Sequence, residues 1–296
     1  MSVRPLRAAT RGSALARWQT DEVARLLGTA VEVVVVETTG DRRTDVAIHE
    51  MGGRGVFVKE VQAAVLEGRA DIAVHSAKDL QSTPTPGLVI AAVPERGDPR
   101  DALVGSTLEG LPVGGRVATG SVRRRAQLAA LRPDLTFAGL RGNIDTRLNK
   151  AAGFQGIVMA MAALHRLGYE DRATEALSPL LVLPQVGQGA LAVECRDSDG
   201  DVAERLAVID HKPSHLAIDA ERAFLAELGS GCDLPVGAYY EGGTLTGIIA
   251  TLDGRIVLRA SVEGRDPAVL GRELADRLLV DAGGWALLED LRGSVA

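Results

Sequence analysis

VEVVVVETT, residues 31 to 39, is a nearly continuous run of β-branched residues. Such a run predicts a strand covered on both faces, as in a sheet flanked by helices. Before it, LRAAT (6–10) predicts a short strand, and the spacing of apolar residues from Leu15 to Leu27 predicts an amphipathic helix. After it come a predicted helix near 57–67 and two further predicted strands, DIAVHS and LVIAAV. This alternation of strands and helices predicts parallel α/β architecture.

Two later stretches divide the rest of the chain. PERGDPRDALVG (94–105) is rich in proline, glycine and charge and predicts a boundary, after which a second α/β pattern has strands GRVAT, LTFAGL, GIVMA and GALAVEC. From about His215 a helix is followed by VGAYYEGGTLTGIIATLDGRIVLRASVEG, whose alternation and glycine turns are typical of an antiparallel meander. We therefore predict two α/β domains and a small C-terminal α+β domain, with limits 1–97 (to which 196–214 return), 98–195 and 215–296.

The composition excludes several classes of function. A net charge of -6 over 296 residues argues against a nucleic-acid or acidic-membrane binder. The sequence has no run of about 18 apolar residues and no apolar run suited to a signal peptide near its start, so we expect a cytoplasmic protein without a membrane span. Nothing resembles a coiled-coil seam, and we expect a monomer. HKPSH (211–215) has Pro213 between its histidines and no third ligand nearby, so no metal site is predicted.

Two cysteines do not form a disulfide framework in a chain of this size. Cys195 lies in an apolar alternating stretch and is explained by packing. Cys232 lies in LGSGCDLPVG (228–237), which predicts an open turn. A functional thiol and an accidental cysteine are both open on this spacing alone.

A repeated pattern predicts an anion-binding cleft. AATRGSALA (8–16) and VATGSVRRR (117–125) each run from a strand through Thr, Gly and Ser into a helix. Free backbone N–H groups and the helix dipole at such ends favour anions. Arginines in the first turn of a helix cost stability unless an anion lies there, and RGNIDTRL (141–148) adds Arg141 and Arg147 at another such junction. Together they predict a polyanionic ligand.

Lys78 and Asp79 follow the predicted strand DIAVHS. The carboxyl end of a parallel strand is where open α/β sheets bind ligands. A surface ion pair between these neighbours is the alternative. In a cleft rich in arginine, the Asp79 carboxylate would stay ionised and stabilise a cation that develops on the substrate.

Seven stretches in the same order carry a resemblance to a known family. They are ATRGSALA (9–16), GGRGVFVKE (52–60), AVHSAKDL (73–80), ATGSVRRRAQL (118–128), RGNIDTRL (141–148), LPQVGQGALAVECR (183–196) and ERAFLAELGSGCDLPVGA (221–238). With them the chain resembles the porphobilinogen deaminases, also called hydroxymethylbilane synthases. The resemblance implies two domains like those of periplasmic anion-binding proteins, facing a cleft, and a third that carries a cofactor on a loop.

The resemblance also implies the chemistry. Cys232 would hold a dipyrromethane cofactor through a thioether, and four porphobilinogen molecules would be joined head to tail with release of ammonia to give linear hydroxymethylbilane. Asp79 matches the family's catalytic aspartate, and Lys78 would assist carboxylate binding. Arg11, Ser13 and Arg141 would bind the carboxylates of the substrate. The residues implied to contact the cofactor are Cys232, Asp79, Thr119, Ser121, Arg123, Arg124 and Arg147.

Three positions depart from the family pattern. Arg54 stands where lysine is usual, Gly120 replaces a usual serine, and Gln81 follows KDL where proline is common. Two other functions stay open at this point: a non-catalytic protein that binds a small anion in the same cleft, and an RNA-binding module. The latter conflicts with the acidic charge and with an aromatic content of 3%.

Overall fold

Three β-sheets organise the residues that this computed structural model describes, which are 4–39, 57–229 and 234–295. Arg54 and Cys232 lie outside these ranges. The strands are β1 (Leu6–Arg11), β2 (Val31–Val36), β3 (Ile72–Ser76), β4 (Leu88–Ala92), β5 (Asp101–Val104), β6 (Arg116–Ala118), β7 (Thr136–Ala138), β8 (Gly156–Ala160), β9 (Glu175–Leu177), β10 (Leu191–Arg196), β11 (Val236–Glu241), β12 (Thr244–Ala250) and β13 (Val257–Glu263). The α-helices are α1 (Ala14–Leu27), α2 (Lys59–Leu66), α3 (Val122–Leu131), α4 (Ile144–Lys150), α5 (Met161–Arg166), α6 (Gly200–Leu206), α7 (Lys212–Glu227), α8 (Pro267–Asp276) and α9 (Gly284–Val295).

The two larger sheets share one strand pattern. The first has the order β2-β1-β3-β10-β4 and the second β7-β6-β8-β5-β9. In each, three neighbouring strands are parallel and the fourth is antiparallel to both of its neighbours. The repeated pattern in the sequence therefore corresponds to a repeated sheet, and the predicted pair of α/β units is confirmed, although both sheets are mixed rather than parallel throughout.

Two details of the sequence prediction were wrong. The strand predicted in GALAVEC as part of the second unit is β10, which lies in the first sheet between β3 and β4. Leu191 to Cys195 are all buried, so both faces of this interior strand are covered. The run VEVVVV was expected to be covered on both faces, but β2 pairs with β1 alone in the described part of the chain and Val35 is 52% exposed. The predicted domain limits stay a prediction.

The chain crosses between the two larger sheets twice, and the two crossings run side by side. Gly97 N donates to Gly189 O over 3.1 Å. Gly189 has φ +89°, and a Cβ there would lie 2.5 Å from the carbonyl oxygen of Gly97. Only glycine allows this approach in the left-handed region. The GQG stretch (187–189) therefore makes a close backbone approach where the two crossings meet.

The third sheet is the predicted antiparallel meander, β11-β12-β13. Helices α7 and α8 pack on it, and Phe224 of α7 is fully buried among leucines. Pro213 lies in the first turn of α7, where its missing N–H costs no helical hydrogen bond. No helix in the described ranges has both the length and the apolar character needed to cross a membrane.

Candidate active site

The carboxyl ends of β1 and β3 form a first cleft of about 390 Å³. Arg11, Ser13, Ser76 and Asp79 line it together with His75 and Gln19. The Ser13 hydroxyl accepts the N–H of Ala16 over 3.3 Å and caps α1. Because the two strands are parallel neighbours, their ends bring residues far apart in sequence to one edge of the sheet.

The turn that carries Lys78 and Asp79 is fixed by the crossing segment near Gly187. Ala77 N donates to Ala190 O over 3.0 Å, and Gln185 Nε2 donates to Lys78 O over 3.3 Å. Gly187 has φ +73°, and a Cβ there would lie 2.9 Å from the amide nitrogen of Lys78. The two residues are therefore held by backbone that also joins the two sheets.

Lys78 lies on the wall of a second cleft, of about 400 Å³. Ser121 and Arg123 form part of the same wall. The lining of this cleft also has an apolar part, which includes Val186, Leu225, Leu234 and Val236. Leu234 and Val236 are two and four residues after Cys232 in the sequence, and Cys232 itself lies outside the described residues.

Arg123 and Arg124 in the first turn of α3 share a carboxylate from their own chain. Arg123 Nη1 lies 2.8 Å from Asp101 Oδ2, and Arg124 Nε donates to Asp101 Oδ1 over 2.8 Å. Asp101 is fully buried, and the pKa of its carboxyl is far below its usual range because the charges of the two arginines outweigh the effect of burial. Breaking such a buried pair costs about 3–5 kcal/mol. One carboxylate offsets one of the two cations, so the pair keeps a net positive charge beside the second cleft.

Arg141 and Arg147 add further positive charge. Arg147 Nε donates to Gly142 O over 2.7 Å. Burial, Arg124 and Arg141 lower the pKa of Arg147 to about 10. Nε and Nη2 of Arg141 are buried and have no hydrogen-bond partner among the residues that the structure describes. Since buried donors are normally paired, these two groups are suited to an anionic ligand.

The structure brings most of the predicted site residues together. Burial and the charges of Arg124 and Arg147 lower the pKa of Lys78, while the Asp79 carboxylate partly opposes this shift. Asp79 also partly opposes the lowering of the pKa of Arg147, so these side chains share one electrostatic environment. Thr119 belongs to the same strand-to-helix junction as Ser121: it is buried, and its hydroxyl accepts the N–H of Ser121 over 3.2 Å.

Gly120, which replaces the serine usual in the resembling family, has a steric explanation. A Cβ at position 120 would lie 2.7 Å from the carbonyl oxygen of Leu140. That separation is shorter than real Cβ contacts, so a side chain would push the strand ends apart. In this chain the backbone of Leu140 occupies the space that a serine side chain at position 120 would need.

The residues that hold the arginines in place were not predicted from the sequence. Gln188 Nε2 donates to Asp101 Oδ1 over 2.8 Å, and Gln188 Oε1 accepts Arg124 Nη2 over 3.2 Å. Arg96 donates to Gln188 O over 2.9 Å and pairs with the buried Glu221 at 2.6 Å. The sequence signal that could have found Asp101 is its position as an acidic residue at the start of the otherwise apolar strand DALV.

The burial of Lys78 leads us to predict that substrate binding depends on pH. Burial, with the charge of Arg124, lowers the pKa of Lys78 from 10.5 to about 8. We expect the KM for a carboxylate substrate to rise as the pH increases from 7 to 9, because the ammonium group loses its proton. Between pH 8 and 10.5 the unfolded chain binds more protons at this group, so its contribution to stability increases with pH. Weaker binding in this range would therefore not reflect unfolding caused by Lys78.

The control is Lys78→Arg, whose guanidinium stays charged at these pH values. Its KM is expected to be flat between pH 7 and 9, measured by initial rates at constant ionic strength. The same pH profile in both proteins would contradict this assignment.

Comparison with known proteins gives consistent matches over nearly the whole chain. Residues 6–204 match the family model "Porphobilinogen deaminase, dipyromethane cofactor binding domain", and residues 215–280 match "Porphobilinogen deaminase, C-terminal domain". The chain is 44% identical to the porphobilinogen deaminase of Syntrophobacter fumaroxidans, over 98% of this chain and 99% of that protein. It is 49% identical to that of Roseiflexus castenholzii, over 94% and 97%.

Among solved structures, the periplasmic VFT2 domain of Bordetella pertussis BvgS superposes with a TM-score of 0.41 and 16% identity, over 69% of this chain and 86% of that one. This likeness is too weak to carry an argument.

Proposed function

Because the chain belongs to the porphobilinogen deaminase family, we propose that Cys232 holds its dipyrromethane cofactor through a thioether and that Asp79 and Lys78 carry out catalysis. The enzyme joins four porphobilinogen molecules head to tail with release of ammonia and gives linear hydroxymethylbilane. This transfer of a substrate unit to a growing chain makes it a transferase.

One observation supports the assignment most strongly. Asp79 lines the first cleft with Arg11 and Ser13, while its neighbour Lys78 lines the second cleft, beside the segment that follows Cys232. The two clefts therefore meet at these two residues. A chain tethered at Cys232 would occupy the second cleft and present its free end to a substrate in the first.

The residues of the second cleft fit dipyrromethane. Its pyrrole rings would lie on the apolar wall of Leu225, Leu234 and Val236, and its acetate and propionate groups would face the arginines. The buried, unpartnered donors of Arg141 suit further carboxylates of the growing chain or of the substrate. When bound, dipyrromethane supplies the pyrrole carbon to which the first substrate unit is joined.

The carboxylate-binding residues divide between the clefts. Arg11, Ser13 and Arg141 would hold the acetate and propionate of the incoming porphobilinogen. Thr119, Ser121, Arg123, Arg124 and Arg147 would hold those of the cofactor. Each charge-assisted hydrogen bond contributes about 1.5–3 kcal/mol, so several of them outweigh the repulsion among the arginines.

Asp79 would stabilise the charge that develops during condensation. The C–N bond of the aminomethyl group breaks, ammonia leaves with the electron pair, and the substrate becomes a cationic azafulvene. The Asp79 carboxylate accepts hydrogen bonds from pyrrole N–H groups and stabilises this cation. The C–C bond would then form between the methylene carbon of this cation and the pyrrole carbon that the cofactor supplies, and the proton displaced from that pyrrole carbon would pass to the released ammonia.

A stoichiometric assay distinguishes this enzyme from a protein that only binds an anion in the cleft. With saturating porphobilinogen we expect four ammonia molecules released for each hydroxymethylbilane, the latter quantified as porphyrin after cyclisation and oxidation. Binding of porphobilinogen without release of ammonia would contradict the proposed function.

We also propose that the protein acts as a monomer in the cytoplasm.

A further inference from the structure

The turn between β12 and β13 packs backbone against backbone on α3, the helix that carries Arg123 and Arg124. Gly254 in this turn is buried and has φ +71°. A Cβ at position 254 would touch the carbonyl oxygen of Ala126 and lie 2.5 Å from the amide nitrogen of Ala130. Real Cβ atoms do not come so close to backbone. A side chain at 254 would therefore displace either the turn or the helix.

The turn has little freedom to move aside. Thr251 Oγ1 donates to Asp253 Oδ1 over 2.7 Å, and Gly254 N donates to Thr251 O over 3.0 Å. Arg255 N donates to Asp253 Oδ1 over 3.1 Å. These bonds fix the loop internally, so a clash at Gly254 would move α3.

A second close contact occurs at the other end of α3. A Cβ at Gly237 of β11 would lie 2.7 Å from Pro184 O and 3.1 Å from Cδ of Arg123. Gln127 of α3 holds the adjoining segment, because its amide accepts Leu183 N over 2.7 Å and donates to Leu183 O over 3.0 Å. β11 begins four residues after Cys232, so the strand that follows this cysteine in the sequence packs against the aliphatic part of the Arg123 side chain.

A third contact is made by a side chain. Arg259 of β13 is exposed, and it donates to Leu180 O over 2.7 Å and to Pro179 O over 3.1 Å. These carbonyls belong to the segment between β9 and β10, outside the third sheet. The unit that carries Cys232 thus contacts the arginine helix and its surroundings at three places.

We propose that Gly254 is a positioning residue for the condensation reaction. Its turn fixes α3, and with it the guanidinium groups of Arg123 and Arg124, relative to β11, the strand that begins four residues after Cys232. This inference rests on the proposed function of these residues. Charge-assisted hydrogen bonds need donor–acceptor distances near 2.7–2.9 Å, and a misplacement of about 1 Å can cost about a hundredfold in rate.

The test compares Gly254→Ala with Gly242→Ala. Gly242, in the turn between β11 and β12, has φ +58°, is exposed and has nothing within 4 Å of a Cβ. Both alanines carry the same penalty of a left-handed φ, but only that at 254 meets backbone. We expect kcat/KM for porphobilinogen to fall about ten- to hundredfold in Gly254→Ala and by less than about twofold in Gly242→Ala.

The rates are expressed per cofactor-loaded molecule, counted by intact mass, because loss of folded protein alone would not change that value. Hydrogen exchange of the α3 amides in the cofactor-free protein gives a readout independent of activity, and we expect faster exchange in Gly254→Ala only.

If Gly254→Ala does not fold, Arg259→Ala tests the packing of the third unit against the surroundings of α3 through a different contact. Its control is Arg277→Ala, since Arg277 is also exposed and donates to Ser261 O over 2.7 Å within the third unit. We expect about two- to fivefold lower kcat/KM per loaded molecule in Arg259→Ala and no change in Arg277→Ala. Equal kcat/KM values for Gly254→Ala and Gly242→Ala, together with equal values for Arg259→Ala and Arg277→Ala, would overturn the inference. A wild-type protein without added mass would instead contradict the proposed function.

Discussion

Replacing Asp79 by asparagine is expected to lower kcat for porphobilinogen by about 10²- to 10³-fold. At about 4 Å and an effective dielectric constant near 20, a carboxylate and a developing cation attract each other by about 4 kcal/mol, which corresponds to about three decades of rate before desolvation is subtracted. Asparagine keeps the size and a hydrogen-bonding oxygen but removes the charge. The initial rate of hydroxymethylbilane formation measures the effect.

Attachment of the cofactor should survive in Asp79→Asn, since the thiol and the arginines are unchanged. A matched control is Asp134→Asn, which removes a half-buried carboxylate paired with Arg132 and should leave kcat within about twofold. Near-normal turnover in Asp79→Asn would refute the role assigned to this carboxylate.

Cys232→Ser is expected to abolish turnover entirely. A hydroxyl is a far weaker nucleophile than a thiolate, so the serine variant would have no tethered primer on which to build. The protein should still fold, because the substitution changes one atom of a predicted open turn. Activity is measured after long incubation with porphobilinogen, which allows any slow loading to be seen.

Cys195→Ala is the control for the other cysteine. Cys195 is fully buried in the first sheet, and burial raises the pKa of its thiol, so it stays protonated and unreactive. Full activity per folded molecule is expected in this variant. Substantial turnover in Cys232→Ser would mean that the primer is held elsewhere.

The sequence predicted the chemistry of the arginine helix only in part. Because first-turn arginines repel the helix dipole, an anion was expected beside Arg123 and Arg124. The structure supplies one from the chain itself, Asp101, which lies at the start of β5. This ion pair could not be predicted from the sequence, because residues 101 and 123 are far apart along the chain and are brought together only by the order of strands in the sheet.

Strand position was another limit of the sequence. The apolar character of β2 and β10 predicted strands correctly, but not their place in a sheet. In the described part of the chain, β2 lies at an edge of the first sheet and β10 lies inside it between β3 and β4, although the two strands have similar apolar character. Which neighbour a strand finds depends on where the chain crosses between sheets, and that crossing is set by the glycine contacts near residues 97 and 189. By contrast, the third sheet was predictable because its hairpin turns are local.

The central claim is that Cys232 covalently holds the primer, and intact mass spectrometry of the purified protein tests it most directly. We predict that the wild-type protein is heavier than its sequence by one dipyrromethane and that Cys232→Ser has the mass of the bare polypeptide. The same added mass in both proteins, or none in the wild-type protein after incubation with porphobilinogen, would contradict the account.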